Sequence, residues 1–209
     1  MSKPLQSNID YSGTWYRINT NPNQVMIPQN QILVIEKDEV KSFSFDELDE
    51  VFCGTIQEFF SISDSSTSKI TKISDNLFEV TFENVLNHLG ENVSFSFQYA
   101  KLKETEFLND MTQMFIKENI FEINFNGITN ILKFDNGYSL EEIPYLKSDV
   151  VLGDYLKLET FMGTYFLSFY IEEQISSMLP ISHVSEMGFY VYGFSSNNKE
   201  TFARKISHR

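Results

Sequence analysis

Short stretches in which every second residue is apolar recur along almost the whole chain. A period of two is that of a strand with one buried face. Residues 15–19 form the first such stretch. Residues 31–36 and 40–45 flank the polar turn Lys37-Asp38-Glu39 and predict a hairpin. Residues 51–62 read as one long strand with a bend at Gly54. Residues 69–73 and 77–82 flank Ser74-Asp75-Asn76, a second hairpin turn. The clearest alternation lies in residues 93–102, with Phe95, Phe97 and Tyr99 on one face and Ser94, Ser96 and Gln98 on the other.

The second half continues in the same style. Phe121, Ile123 and Phe125 alternate with Glu122 and Asn124. Residues 130–134 and 138–140 flank Asp135-Asn136-Gly137, a turn whose Asn-Gly pair tolerates positive φ. Residues 155–161, 164–171, 188–194 and 201–206 complete the strands, and Ser195-Ser196-Asn197-Asn198 joins the last two. Two segments follow a helical period instead. Over residues 106–118 the side chains Phe107, Leu108, Met111, Met114 and Phe115 share a face, and Thr105 is placed to cap the start. Residues 171–179 predict a shorter helix ended by Pro180. The expected class is mainly β, with one or two helices.

Composition narrows what such a chain can do. Its 209 residues are enough to bury a core in one or two domains, and 42% hydrophobic content excludes wholesale disorder. Aromatic residues make up 15%, mostly Phe and Tyr. A net charge of −13 opposes binding to nucleic acid or to an anionic membrane surface. Residues 1–6 lead into polar sequence without an apolar leader core, and no stretch approaches the ~18 apolar residues of a span. A cytoplasmic location is the expectation. Cys53 is the lone cysteine and reads as a small core residue.

Candidate chemistry is sparse. His88, His183 and His208 share no ligand-like spacing, so no metal or other cofactor is predicted. The chain carries no Gly-x-Ser-x-Gly elbow, P-loop or dinucleotide fingerprint. An enzyme with residues scattered over the fold stays open as a reading. Residues 36–50 hold seven carboxylates against Lys37 and Lys41. Within them Asp46, Glu47, Asp49 and Glu50 crowd like charges, which requires water around them or a basic partner against them. The tail carries Lys199, Arg204, Lys205 and Arg209 against Glu200 and reads as solvated surface.

The one motif with a family likeness lies at the chain's first strand. Gly13-Thr14-Trp15-Tyr16 contains the sole tryptophan, and Arg204 lies on the last strand. A Gly-x-Trp strand opening combined with a last-strand Arg resembles the closure signature of lipocalin-like (calycin) β-barrels. The glycine allows a sharp entry and the indole plugs one end of a core. A guanidinium can then stack on that plug. The resemblance implies an antiparallel barrel closed by Gly13, Trp15 and Arg204, with apolar ligands held between strands.

Residues 9–104 then form a lipocalin-like β domain and 105–209 a second β-rich domain opening with the helix. The alternative is one elaborated barrel over 9–209. In the two-domain arrangement Lys101 or Lys103 takes the place of the arginine. A second run, Gly163-Thr164-Tyr165-Phe166, echoes the first. Two functions follow: a non-catalytic binder of a small apolar ligand, or an acidic immunity-type inhibitor that docks on a basic protein partner.

Overall fold

The computed structural model describes residues 10–18, 32–43, 50–61, 67–125, 128–134, 155–171, 174–192 and 200–206. They form a mainly β protein with two short helices and two curled antiparallel half-barrel sheets. The described residues up to Lys101 make one compact unit, and those from Leu102 onward make a second.

The first unit holds β1 (Gly13–Ile18), β2 (Ile32–Glu36), β3 (Glu39–Phe43), β4 (Glu50–Thr55), the helix α1 (Ile56–Phe59), β5 (Thr67–Ser74), β6 (Leu77–Leu86) and β7 (Asn92–Lys101). Its sheet runs β4-β3-β2-β1-β7-β6-β5. Every strand therefore pairs with its neighbour in the chain except β4 and β5, which form the two ends, while the first and last strands meet. Turn chemistry sets this meander. Lys37 takes a positive φ of 57° in the short β2–β3 turn. Asn84, at φ 57°, marks a register shift between Phe82 and Val85, the kind of bulge that bends a sheet.

The second unit opens with β8 (Glu106–Phe107) and α2 (Gln113–Glu118). It continues through β9 (Ile120–Phe125), β10 (Ile128–Lys133), β11 (Tyr155–Phe161), β12 (Thr164–Ile171), β13 (Gln174–Ser185), β14 (Gly188–Val191) and β15 (Thr201–Ile206). The path is β10-β9-β15-β14-β13-β12-β11, with β8 parallel to β13. Its first and last long strands, β9 and β15, also pair. The cyclic order thus matches that of the first unit, but the break falls after the second long strand instead of the fourth. Gly163 lies in the turn just before β12, the fourth long strand, whereas Gly13 opens the first strand of its unit. The two Gly-Thr-aromatic runs hold different places in the two sheets.

Three expected elements are corrected. Residues 106–112 are not helical. Thr105 Oγ1 donates to Ile181 O at 2.7 Å and accepts from Tyr165 N at 2.8 Å, and Leu108 N donates to Val184 O at 2.9 Å. These bonds draw the segment onto the sheet, and Asn109 and Asp110 then take positive φ. The cap of α2 is Thr112, whose side chain accepts from Met114 N.

Residues 174–179 are strand, not helix. Met178, Leu179 and Ile181 are all buried, so β13 is covered on both faces and lacks the alternation of a half-buried strand. Pro180 fits because its carbonyl accepts from Tyr192 N, just past the end of β14. A strand residue's N and carbonyl point the same way, so the missing N–H faces the end of that ladder.

The long strand over 51–62 ends at Thr55. The capping box Thr55-x-x-Glu58 starts α1 there: Thr55 Oγ1 accepts from Glu58 N, and Thr55 N donates to Glu58 Oε2 at 2.8 Å. The predicted turn at residues 135–137, the strand at 138–140 and the loop at 195–198 lie outside the described residues.

Candidate binding face of the first unit

Alternation in β1, β6 and β7 sends one set of side chains to the same face. Trp15 pairs in register with Leu33 and Lys101, and Arg17 with Tyr99. Phe78, Val80 and Phe82 face Tyr99, Phe97 and Phe95 across the β6–β7 ladder. The cluster on this face includes Tyr11, Trp15, Leu33, Ile35, Val40, Phe60, Phe78, Val80, Phe82 and Tyr99. The rings meet edge to face or offset: Trp15 and Phe78 at 4.7 Å, Phe60 and Tyr99 at 5.9 Å, and Phe78 stacked on Tyr99 at 4.9 Å. The α1 turn delivers Phe59 and Phe60 to this cluster.

Gly13, Trp15 and Lys101 form one end of the face. Trp15 is 2% exposed, and its Nε1 donates to Tyr11 O at 2.7 Å. The Lys101 ammonium sits 5.6 Å from its ring centroid. Gly13 has φ 140°, and a Cβ there would lie 2.7 Å from Lys101 Cε. Glycine is thus what lets the lysine cross the strand entrance. Nearby, Lys72 and Asp75 pair at 2.7 Å, which raises the lysine pKa and lowers that of the carboxylate. Hydrogen bonds from Ser12 hold Asp10 below its ordinary value.

Toward the other end the wall opens. Tyr99 and Phe78 are sealed, and burial pushes the Tyr99 phenol up to about 12. Phe97 and Phe95, two and four residues back along β7, are only half-buried. Phe52 and Phe59, tilted against each other at 5.2 Å, are half-buried as well. Arg17 lies at the transition, half-buried, with its guanidinium carbon 3.7 Å from the Phe97 centroid. Burial lowers its pKa from the ordinary arginine value. Sequence inspection passed over Arg17, although it stands two residues after Trp15 and so shares its face. Phe60 was also missed, and the Thr55-x-x-Glu58 signature was the signal that placed it.

The interior of the second unit is different in kind. It is built from Ile116, Phe121, Ile123, Leu132, Leu156, Leu167, Phe169, Leu179, Ile181, Val184, Phe189, Val191 and Ala203, all buried. Phe107, Met111 and Phe115, from β8 and the α2 region, pack against it. Arg204 sits on β15 opposite Glu122 of β9, and its Nη2 donates to Glu122 Oε1 at 2.9 Å. Each proposed closure residue therefore has its contact inside its own unit: Trp15 with Lys101, Arg204 with Glu122.

Of the four acidic docking candidates, Glu50 begins β4 and is exposed. Asp46, Glu47 and Asp49 lie outside the described residues. Cys53 is exposed, not a core residue: it pairs in register with Lys41, on the face opposite Ser42 and Phe52. His88 is exposed in a turn, and His183 stacks on Tyr190 at 4.3 Å. His208 lies outside the described residues. No group of three or more His, Cys, Asp or Glu placed to hold a metal ion occurs among the described residues. None of their helices is long and apolar enough to cross a membrane. Neither the protein-family models nor the curated proteins give a match to this chain.

Proposed function

We propose that the protein is a non-catalytic binder that holds a small apolar ligand against the inner aromatic face of the first unit, as a lipocalin-like barrel does. The observation that supports this is the graded wall of β7. Tyr99 is sealed within the core, while Phe97 and Phe95 on the same face keep part of their surface open. Phe52 and Phe59 of the β4–α1 corner are open to a similar degree. Apolar surface left accessible on a concave face is the usual lining of a ligand site.

The test is titration with the neutral fluorophore N-phenyl-1-naphthylamine, alongside native mass spectrometry of protein purified from its own host. The expected results are one bound probe and a retained small molecule. Phe95→Glu puts a charge on the open part of the wall and is expected to weaken probe binding tenfold or more. A probe that never binds, with an empty native mass, would end the reading.

A further inference from the structure

Among the described residues, the wall of the first unit contains a cation with no counter-ion. Arg17 projects from β1 onto the same face as Trp15 and Tyr99, and the Phe97 ring covers one side of its guanidinium. Ring stacking leaves the in-plane N–H donors unspent. Among the described residues no carboxylate comes within ion-pair distance of it. Elsewhere the molecule supplies partners freely: Lys41 has Glu39, Lys72 has Asp75, and Arg204 has Glu122. The chain has 29 acidic residues against 16 basic ones, so carboxylates are plentiful, yet none of the described ones pairs with Arg17. Tyr99, its register partner, holds its proton to about pH 12 and so offers no anion. A charge placed among aromatic rings without a partner costs stability, and such local conflicts concentrate where a ligand supplies what is missing.

We propose that Arg17 receives the carboxylate head group of an amphiphilic ligand whose apolar body lies along Phe97, Phe95 and Phe59. The inference rests on the binding reading above and adds the ligand's class. A planar carboxylate matches the guanidinium fork with two parallel charge-assisted hydrogen bonds, and these exceed what an alcohol of equal length can make.

The experiment displaces bound N-phenyl-1-naphthylamine with decanoate or with decan-1-ol, from wild type, Arg17→Met and Arg17→Lys. Decanoate is expected to bind at least tenfold more tightly than the alcohol to wild type. Arg17→Met removes that preference by weakening decanoate far more than the alcohol, and Arg17→Lys keeps part of it. A thermal melt by circular dichroism confirms that each variant is folded. The wild-type comparison needs no variant: equal affinity for the two compounds overturns the head-group assignment and leaves the binder intact. A preference that survives in folded Arg17→Met also overturns it, because another group then holds the carboxylate. Absence of any probe binding removes the binder and the assignment together.

Discussion

In the first unit the interior is ring upon ring, with Trp15, Phe78, Tyr99 and Phe60 touching in succession. In the second it is mostly branched aliphatic, with Ile123, Leu167, Leu179, Ile181, Val184 and Val191 fully buried. The seven strands of the first sheet and the seven long strands of the eight-stranded second sheet follow the same cyclic order, with first and last long strands paired. The strand path therefore does not decide what an interior is for. Branched aliphatic side chains interdigitate and close a core. Large flat rings hold their positions through a few edge contacts and leave surface between them, and the first unit adds a guanidinium that stacks on Phe97 and has no carboxylate partner among the described residues. The added elements point the same way. α2 brings the buried Ile116 to the second interior, whereas α1 brings the half-buried Phe59 together with the sealed Phe60 to the first.

Truncating one large ring in each interior gives the strongest contrast. Trp15→Ala and Phe189→Ala are each expected to cost about 3–5 kcal/mol, read from urea unfolding by circular dichroism. A loss below about 1 kcal/mol for Trp15→Ala would mean that the indole is not a core plug. Because Trp15 is the sole tryptophan, its fluorescence in Phe189→Ala reports on the first unit alone.

A smaller difference separates two glycines. A Cβ at Gly188 would lie 2.0 Å from the Ala203 carbonyl oxygen, a backbone atom that cannot step aside. At Gly13 the obstacle is the flexible end of Lys101. Both positions have strained φ for an L-residue, at 144° and 140°. Gly188→Ala is expected to cost about 3 kcal/mol or more, and Gly13→Ala about 1–2 kcal/mol. Equal urea midpoints for the two variants would contradict this ranking.

The smallest effect is alkaline. Burial raises Tyr99 in the first unit and Tyr192 in the second to about 12, from an ordinary 10. Between pH 10 and 12 the folded chain keeps both protons and the unfolded chain loses them, so stability falls as pH rises. Below pH 10 this contribution is complete. Each phenol accounts for on the order of 2 kcal/mol across that window. Tyr99→Phe should remove the first unit's share and flatten the pH dependence of the urea midpoint. A midpoint already flat in wild type would remove both assignments.

How much was legible in the sequence depended on burial. β7 could be read because one of its faces is core and the other is not, so Phe95, Phe97 and Tyr99 stand out against Ser94, Ser96 and Gln98. β13 could not be read, because both its faces are buried and Pro180 imitates a helix stop. The segment after Thr105 has a helical apolar period, yet long-range bonds from Thr105 and Leu108 to β13 override it. Cys53 lies on the accessible side of a strand with weak alternation. Arg17 went unnoticed because sequence spacing does not reveal which rings and charges surround a side chain in space.

The pairing of β1 with β7 also constrains how the chain is made. β1 leaves the ribosome before β7, so one of its edges must wait until residues as far as Lys101 have been synthesised, since Trp15 meets Lys101 across that ladder. Local hairpins such as β2–β3 and β5–β6 can assemble first, and joining the distant strands comes last. Contacts this far apart in sequence slow folding and leave a bare strand edge open to wrong partners meanwhile. Maturation of the first unit is therefore expected to be limited by that final seam.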